Sequence, residues 1–211
     1  MSLRVAGPLL LLVFAPGCVP TPEPVGDIDA KPDERLVGTW TQSGDTYVID
    51  RSPVKGHPKG LLRVRRWVRV TTNEITPTTE RDLAPVNRAP DETVWVFTAT
   101  VGKHTYGNQL VDTGNKNFEA KLGTEGAYEK WAKSETKGYF VGKLTFDADA
   151  LALDGGDNRA FEALMTKEKI KPLDKFHAIP AGWLAKHLET NGPDALFPGK
   201  ETTKYTRAKA K

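Results

Sequence analysis

The 211-residue sequence contains a single cysteine and lacks long apolar runs. One cysteine cannot pair within the chain, which excludes a small domain stabilised by disulfides. Uninterrupted apolar stretches of about 20 residues are missing, which excludes a protein built from several transmembrane helices. Aromatic residues make up 9% of the chain and the formal net charge is only +3, so wholesale disorder is excluded as well. The length allows one domain or two small ones.

The first eighteen residues have the pattern of an export signal. One positive charge, Arg4, precedes an apolar segment at residues 5–14. This segment is too short to cross a hydrocarbon layer of about 30 Å as a helix, but its length suits the hydrophobic region of a signal peptide. Residues 15–18, with the sequence APGC, follow directly. We expect residues 1–17 to be a signal peptide that is cleaved after Gly17.

Residues 15–18 resemble the lipobox of bacterial lipoproteins, in which a small residue precedes a cysteine that becomes lipidated and N-terminal. The sequence departs from the family at Ala15, where leucine is usual, and at Pro16, which is unusual just before the cut. The resemblance implies that Cys18 is lipidated and that the protein is anchored to a bacterial membrane. Its domain would then lie outside the cytoplasm, on the periplasmic side or at the cell surface. The alternative is an ordinary secreted protein with a free thiol at its start.

Residues 19–34 are predicted to form an extended tether. Together with the lipidated Cys18, this segment comprises residues 18–34. Prolines break any helix or ladder in this segment, and acidic residues keep it solvated. The prolines are Pro20, Pro22, Pro24 and Pro32. A proline-rich tether extends by about 3 Å per residue and would hold a folded domain some tens of Å from a membrane. The predicted folded domain is residues 35–211.

The folded region is predicted to be mainly β. Alternating apolar and polar residues with turn residues between them indicate eight or nine strands, clearest at residues 61–70 and 93–101. Shorter strands are predicted at residues 36–40, 46–49, 105–111, 117–122, 139–146, 150–153 and 175–179, and residues 202–207 are a candidate for a closing strand. Two short helices are predicted near the C-terminus, at residues 158–169 and from about residue 180 to 191. An antiparallel meander of this kind favours a barrel or half-barrel, with a two-sheet sandwich as the alternative.

Residues 36–40, LVGTW, resemble the Gly-x-Trp opening of lipocalins and their calycin relatives, where the tryptophan closes the barrel floor. The order of segments over residues 35–208 is similar to a group of uncharacterised bacterial lipoproteins with a lipocalin-like sheet. The resemblance implies a calycin-type fold and an envelope location, but it supplies no activity. Lipocalins often hold small apolar ligands in the barrel. The candidates for the barrel floor or a ligand lining are Trp40, Arg66, Trp95, Phe97, Phe140, Phe146 and Arg207.

Two arginines are candidates for contact with Trp40. In lipocalins an arginine from near the end of the chain covers this tryptophan, and Arg207 fits that order. Arg66 lies on the apolar face of the strand predicted at residues 61–70. It is therefore expected to pack against a tryptophan or to pair with a carboxylate inside the barrel.

Residues 51–69 carry seven positive charges, and no acid lies between Asp50 and Glu74. The cations are Arg51, Lys55, Lys59, Arg63, Arg65, Arg66 and Arg69. One interpretation is a solvated strand face whose charges discourage edge pairing. The other is attraction to an anionic component of the envelope, such as lipid headgroups or a cell-wall polymer. Nucleic acid is not an expected partner of an exported protein.

The sequence contains no recognisable catalytic or metal-binding motif. The four histidines lie far apart, no serine lies in a Gly-x-Ser-x-Gly sequence, and no cofactor is expected. We therefore expect a lipid-anchored protein that binds a small apolar ligand or a partner, not an enzyme. The alternative is a structural or interaction lipoprotein whose barrel is filled. The interior volume distinguishes the two, because a ligand needs several hundred Å3.

Overall fold

A computed structural model describes residues 19–68, 89–112, 114–115, 117–170, 172–173, 176–177, 182–200 and 202–208. Within these ranges the chain forms eleven strands and four helices. The strands are β1 (Val19–Thr21), β2 (Gly38–Gln42), β3 (Asp45–Arg51), β4 (Leu62–Trp67), β5 (Glu92–Val101), β6 (His104–Asp112), β7 (Lys137–Asp147), β8 (Ala150–Asp154), β9 (Pro172–Leu173), β10 (Phe176–His177) and β11 (Thr202–Arg207). The helices are α1 (Phe118–Leu122), α2 (Ala127–Ala132), α3 (Asn158–Lys167) and α4 (Trp183–Asn191).

Eight strands close into an antiparallel barrel. The strands β2 to β8 follow one another around it, and β11 lies between β8 and β2 to complete the ring. Ser43 and Gly44 join β2 to β3 with φ values of 53° and 91°, and positive φ at both turn residues matches the twist of a two-stranded ribbon. The mainly β prediction is confirmed, the barrel is closed rather than half-open, and the sandwich alternative is wrong. The architecture is compatible with a lipocalin-like fold.

Apolar side chains from alternate positions fill the barrel interior. On β4, Leu62 and Val64 belong to this inner core, while Arg63 and Arg65 point outwards. The inner core consists of Leu36, Trp40, Tyr47, Ile49, Leu62, Val64, Val94, Val96, Leu144, Leu151, Leu153 and Tyr205, with Val37, Phe140 and Phe146 packed against it. The alternation predicted for residues 61–70 is therefore seen in β4.

Two further apolar clusters cover the outside of the barrel. One of them includes two residues that were predicted to line the interior. Trp95 and Phe97 are fully buried, but they lie on the outer face of β5, against Phe118, Leu122 and other residues around α1 and α2. Their neighbours Val94 and Val96 face the interior instead. Because β5 is buried on both faces, alternation shows that two faces exist but not which one is inside.

The segment predicted as a strand at residues 117–122 is the helix α1. Phe118 and Leu122 are both buried on one side of it, at the i, i+4 spacing of a helix. The short helix α2 follows it, with Trp131 buried. The two helices predicted nearer the C-terminus correspond to α3 and α4, so the described residues contain four helices instead of two.

Residues 19–34 pack on the barrel and do not form an extended tether. The strand β1 pairs with β7, and Val25 is fully buried. The Val25 N–H donates to Asn108 Oδ1 at 2.7 Å, and Asn108 Nδ2 donates back to the Val25 carbonyl at 3.1 Å. The prolines prevent a long regular ladder, but the barrel's outer side chains supply partners that the sequence pattern does not reveal.

The described residues include no helix that is long and apolar enough to cross a membrane. Gly17, Cys18, Arg69 and most of the polar segment at residues 71–90 lie outside the described residues.

Candidate functional site

The barrel interior is almost completely filled. Its cavity measures about 40 Å3, whereas ligand pockets usually measure about 300–1,000 Å3. Tyr47 and Tyr205 meet edge to face across it, with ring centroids 5.2 Å apart. The lining is apolar apart from these phenols and consists of Leu36, Trp40, Tyr47, Ile49, Val64, Val96, Gly107, Leu144, Leu151, Leu153 and Tyr205. As it stands, this space holds a few water-sized molecules at most.

The N-terminal end of β2 forms the floor of the barrel, where Arg207 covers Trp40. The Arg207 guanidinium lies 4.4 Å from the centroid of the Trp40 ring. Its Nη1 donates to the Val37 carbonyl at 3.1 Å, and its Nη2 donates to the Arg35 carbonyl. Trp40 is itself fixed by a bond from its Nε1 to the Leu36 carbonyl at 2.8 Å. Of the two candidate arginines, the structure therefore places Arg207 on Trp40.

The turn before β2 closes the same end of the barrel. Arg35 lies over the half-buried Phe146 ring at 4.2 Å and forms an ion pair with Asp33 at 2.6 Å. The hydrogen bond from Arg35 lowers the pKa of Asp33. Phe146 packs against the inner core, as does the half-buried Phe140 further along β7. The floor is thus an aromatic layer held in place by two arginines.

Arg66 lies at the opposite end of the barrel, beside the β2–β3 turn. It contacts Asp45 at 2.6 and 2.9 Å and Glu92 at 3.4 Å. The side chains of Arg66 and Asp45 are only 11% and 12% exposed, so this ion pair is largely shielded from water. Burial is the largest single influence and opposes the charge on Arg66, but the hydrogen bonds to Asp45 and Glu92 and the charges nearby together outweigh it and raise the pKa of the guanidinium. Arg66 therefore pairs with a carboxylate at the mouth of the barrel.

Tyr47 lies beneath this ion pair. Arg66 lies 5.8 Å from the centroid of its ring, and the Tyr47 hydroxyl donates to Gln42 Oε1 at 3.2 Å. Burial raises the pKa of Tyr47 to about 12, although the positive charge of Arg66 opposes the shift. The mouth of the barrel is therefore occupied by an ion pair and a neutral phenol.

Most cations of the basic segment have acidic partners. Arg63 and Arg65 share Asp50, at closest distances of 2.9 and 2.6 Å. Arg51 pairs with Glu34, and Lys55 approaches Glu125 at 4.0 Å with both side chains largely exposed. The apparent excess of charge along residues 51–69 arises because the compensating acids lie outside this range, at Asp50 directly before it and elsewhere in the chain.

A surface groove of about 450 Å3 lies beside the β3–β4 connection. Two lysines on its wall, Lys31 and Lys59, have no acidic partner among the described residues. The wall consists of Asp29, Lys31, Pro32, Arg51, Ser52, His57, Pro58, Lys59 and Leu61. This groove was not predicted from the sequence, because Lys31 comes from the segment expected to be a detached tether.

Ser52 and His57 form a hydrogen bond within this groove, with Ser52 Oγ 2.7 Å from His57 Nδ1. Burial lowers the pKa of His57 and favours its neutral form. Ser52 Oγ also accepts the Val54 N–H at 3.2 Å, as serines do in local turns. In the described part of the chain no carboxylate hydrogen-bonds to the His57 ring. The pair has the geometry of a turn and lacks the third group of a catalytic triad.

The described residues contain no group of three or more histidine, cysteine or acidic side chains close enough to hold a metal ion. His187 stacks on Trp183, with ring centroids 5.1 Å apart, and its Nδ1 lies 3.2 Å from Asn191 Nδ2. Packing therefore accounts for this histidine. The side chain of His177 lies outside the described residues.

Comparison with known proteins does not assign the chain to a family. No family model matches it, and no curated protein or solved structure shows significant similarity to it.

Proposed function

We propose that the protein is a lipid-anchored component of a bacterial envelope, that its barrel is a filled scaffold, and that its outer surface binds a partner. The lipobox-like sequence at residues 15–18 supports the anchor and the location. The observation that carries the rest is the interior cavity of about 40 Å3, which is too small for the apolar ligands that barrels of this class often hold.

The side chains that close the two ends of the barrel also support a filled interior without a ligand. A ligand entering past the mouth would have to displace the shielded Arg66–Asp45 ion pair. A ligand entering at the floor would have to displace Trp40 and Arg207. Breaking a shielded charge pair without compensation costs about 3–5 kcal/mol, and small ligands seldom recover this from a cavity of a few water volumes.

The comparison of native and denatured mass tests the absence of a ligand. The protein, as residues 19–211, would be exported from a bacterial host behind a conventional cleaved leader. Residues 19–24 are retained because they include β1. We expect the same mass under native and denaturing conditions. A mass excess that is lost on denaturation would show a carried ligand and would contradict the filled scaffold.

The anchor has its own test. Replacing Cys18 with Ala should abolish incorporation of labelled fatty acid and move the protein from the membrane fraction to the soluble fraction. The matched control is Ser2→Ala, which changes the leader away from residues 15–18. A wild-type protein without incorporated label would refute the lipobox interpretation.

The groove with Lys31 and Lys59 favours an anionic envelope component as the partner. The arginines of β4 already have acidic partners, whereas these two lysines have none among the described residues. We expect Lys31→Gln with Lys59→Gln to reduce binding to vesicles containing anionic lipid. The control, Lys103→Gln with Lys186→Gln, removes the same charge from exposed positions outside the groove. Equal losses of vesicle binding in both double variants would show that net charge alone, and not the groove, causes the binding.

A further inference from the structure

The surface groove beside the β3–β4 connection lies between two chain segments that meet at Gly60. Residues 29–32 contribute one wall and residues 51–61 the other. The Gly60 N–H donates to the Ile28 carbonyl at 3.2 Å, and a Cβ at Gly60 would lie 2.3 Å from that oxygen and 2.4 Å from the Ala30 carbonyl oxygen. Because only a glycine allows so close an approach, the two walls are held in a fixed relation. The groove is therefore part of the folded structure and not a gap beside a loose loop.

Further contacts hold each wall in place. The Ser52 N–H donates to the Leu61 carbonyl at 3.0 Å, and the Leu61 N–H donates to the Pro58 carbonyl at 3.1 Å. Arg51 forms an ion pair with Glu34, which lies just beyond the end of the first wall. A site whose walls are already ordered loses little conformational entropy when a ligand binds.

Charged groups of both signs in the groove lack partners. The side chains of Lys31, Lys59 and Asp29 form no hydrogen bond and no ion pair within the described residues. An ammonium group only donates hydrogen bonds, whereas a carboxylate only accepts them. The two lysines therefore suit a phosphate monoester, which carries a charge of about −1.5 to −2 at pH 7. Asp29 repels such a group and needs a donor, such as a hydroxyl, on the same ligand.

Apolar side chains form another part of the groove wall. Pro32 and Leu61 are buried and Pro58 is half-buried, and none of the three side chains can form a hydrogen bond. A sugar ring has C–H groups on its faces and hydroxyls at its edge, so one face can pack on such a surface while the hydroxyls reach polar groups. The groove volume of about 450 Å3 lies within the range of about 300–1,000 Å3 for small-ligand pockets. The groove thus combines the three kinds of contact that a phosphorylated sugar requires.

We propose that the groove binds a phosphorylated sugar that belongs to a lipid headgroup or a polymer of the envelope. The phosphate contacts Lys31 and Lys59, the sugar hydroxyls donate to Asp29, and the ring packs against Pro32 and Pro58. This inference rests on the proposed function, because it names the anionic component that the same groove would bind. It leaves the filled interior unchanged, since the groove lies on the outer surface.

Calorimetric titration of the full-length protein in uncharged detergent micelles tests the ligand class. Dialysis first removes any sugar phosphate carried from the host, because the groove is open to solvent. We expect glucose 1-phosphate to bind about tenfold more tightly than inorganic phosphate or glucose, since neither of these makes all the contacts. Lys31→Gln with Lys59→Gln should weaken its binding about tenfold, whereas Lys103→Gln with Lys186→Gln should not. Equal affinities for glucose 1-phosphate and inorganic phosphate would overturn the sugar site.

Asp29→Asn gives the sharper result, because sugar recognition and simple charge attraction predict opposite signs. The change removes a negative charge, so inorganic phosphate should bind more tightly, which also shows that the groove is intact. Glucose 1-phosphate should bind about tenfold more weakly, because its hydroxyls lose a charged acceptor. Asp147→Asn, at an exposed position outside the groove, is the control and should change neither affinity. A gain in affinity for both ligands would overturn the sugar contact.

Competition then identifies the source of the sugar phosphate. Lipid A in the same micelles presents it on a lipid, and phosphorylated dextran presents it on a soluble polymer. Displacement of glucose 1-phosphate by either one supports the proposal and names the source, whereas displacement by neither would overturn an envelope ligand. Failure of the proposed function looks different, because Lys31→Gln with Lys59→Gln would then leave the binding to vesicles with anionic lipid unchanged.

Discussion

The guanidinium of Arg207 covers the ring of Trp40 at 4.4 Å and joins β11 to the first strand of the barrel. The same guanidinium donates hydrogen bonds to the carbonyls of Val37 and Arg35. Gly38 allows this approach, because a Cβ at that position would lie 2.6 Å from Arg207 Nη1. Arg207 thus connects two chain segments that are far apart in sequence and closes the floor of the barrel.

The first prediction follows from this contact. Arg207→Lys should lower the free energy of unfolding by about 1–2 kcal/mol, because an ammonium group cannot contact the ring and both carbonyls at once. Urea denaturation monitored by tryptophan fluorescence measures the change. Arg159→Lys on the exposed face of α3 is the control and should change stability by less than about 0.5 kcal/mol. Equal stabilities of the two variants would show that the geometry at Arg207 does not matter.

The second prediction concerns the ion pair at the mouth of the barrel. Asp45→Asn and Arg66→Met should each destabilise the protein by about 2–4 kcal/mol, because each removes one member of a shielded ion pair. In the double variant the loss should fall short of the sum by about 1–3 kcal/mol. A double-mutant cycle from urea denaturation measures this coupling. Strict additivity would mean that the two side chains act independently.

The outline of the fold could be predicted from local sequence patterns. Alternation and turn residues indicated the strands of the barrel, and the Gly-x-Trp resemblance directed attention to Trp40 and Arg207. Which face of β5 points into the barrel could not be predicted, because Trp95 and Val96 are equally buried on opposite faces. Which face is inside depends on helices and loops that cover the outer wall from elsewhere in the chain.

The course of residues 19–34 and the surface groove could not be predicted for a related reason. Proline content indicates what a segment cannot do, namely form a helix or a long ladder. It does not reveal that Asn108, distant in the sequence, offers both a donor and an acceptor to Val25. Nor does it reveal that Lys31 reaches the same groove as Ser52 and His57. These contacts depend on the tertiary fold.

The third prediction compares two neighbouring amides on β6. Gln109 is 2% exposed and its Oε1 has no hydrogen-bond partner among the described residues, whereas both amide atoms of Asn108 bond to Val25. Gln109→Met should therefore raise the free energy of unfolding by about 1 kcal/mol, because it removes an unsatisfied buried oxygen with little change in shape. Asn108→Leu should lower it by about 2–3 kcal/mol, because it leaves two backbone groups unpaired. Thermal and urea denaturation of both variants measure whether the free energy of unfolding rises or falls. A decrease for Gln109→Met comparable to that for Asn108→Leu would contradict this account.

The fourth prediction uses the raised pKa of Tyr47. Burial raises the pKa from the ordinary value of 10.0 to about 12, so between these pH values the folded protein keeps the phenol proton that the unfolded chain loses. The unfolded state then binds fewer protons, and stability falls as the pH rises from 10 to 12. Two pKa units correspond to a loss of stability of at most about 2.7 kcal/mol, and a protein with phenylalanine at this position does not suffer that loss.

At pH 8, Tyr47→Phe should be less stable than the wild type by about 0.5–1.5 kcal/mol, because the hydrogen bond to Gln42 is lost. At pH 11 this deficit should shrink or reverse. Urea denaturation of both proteins at the two pH values measures the difference, and a deficit independent of pH would show that the Tyr47 phenol titrates alike in the folded and unfolded states.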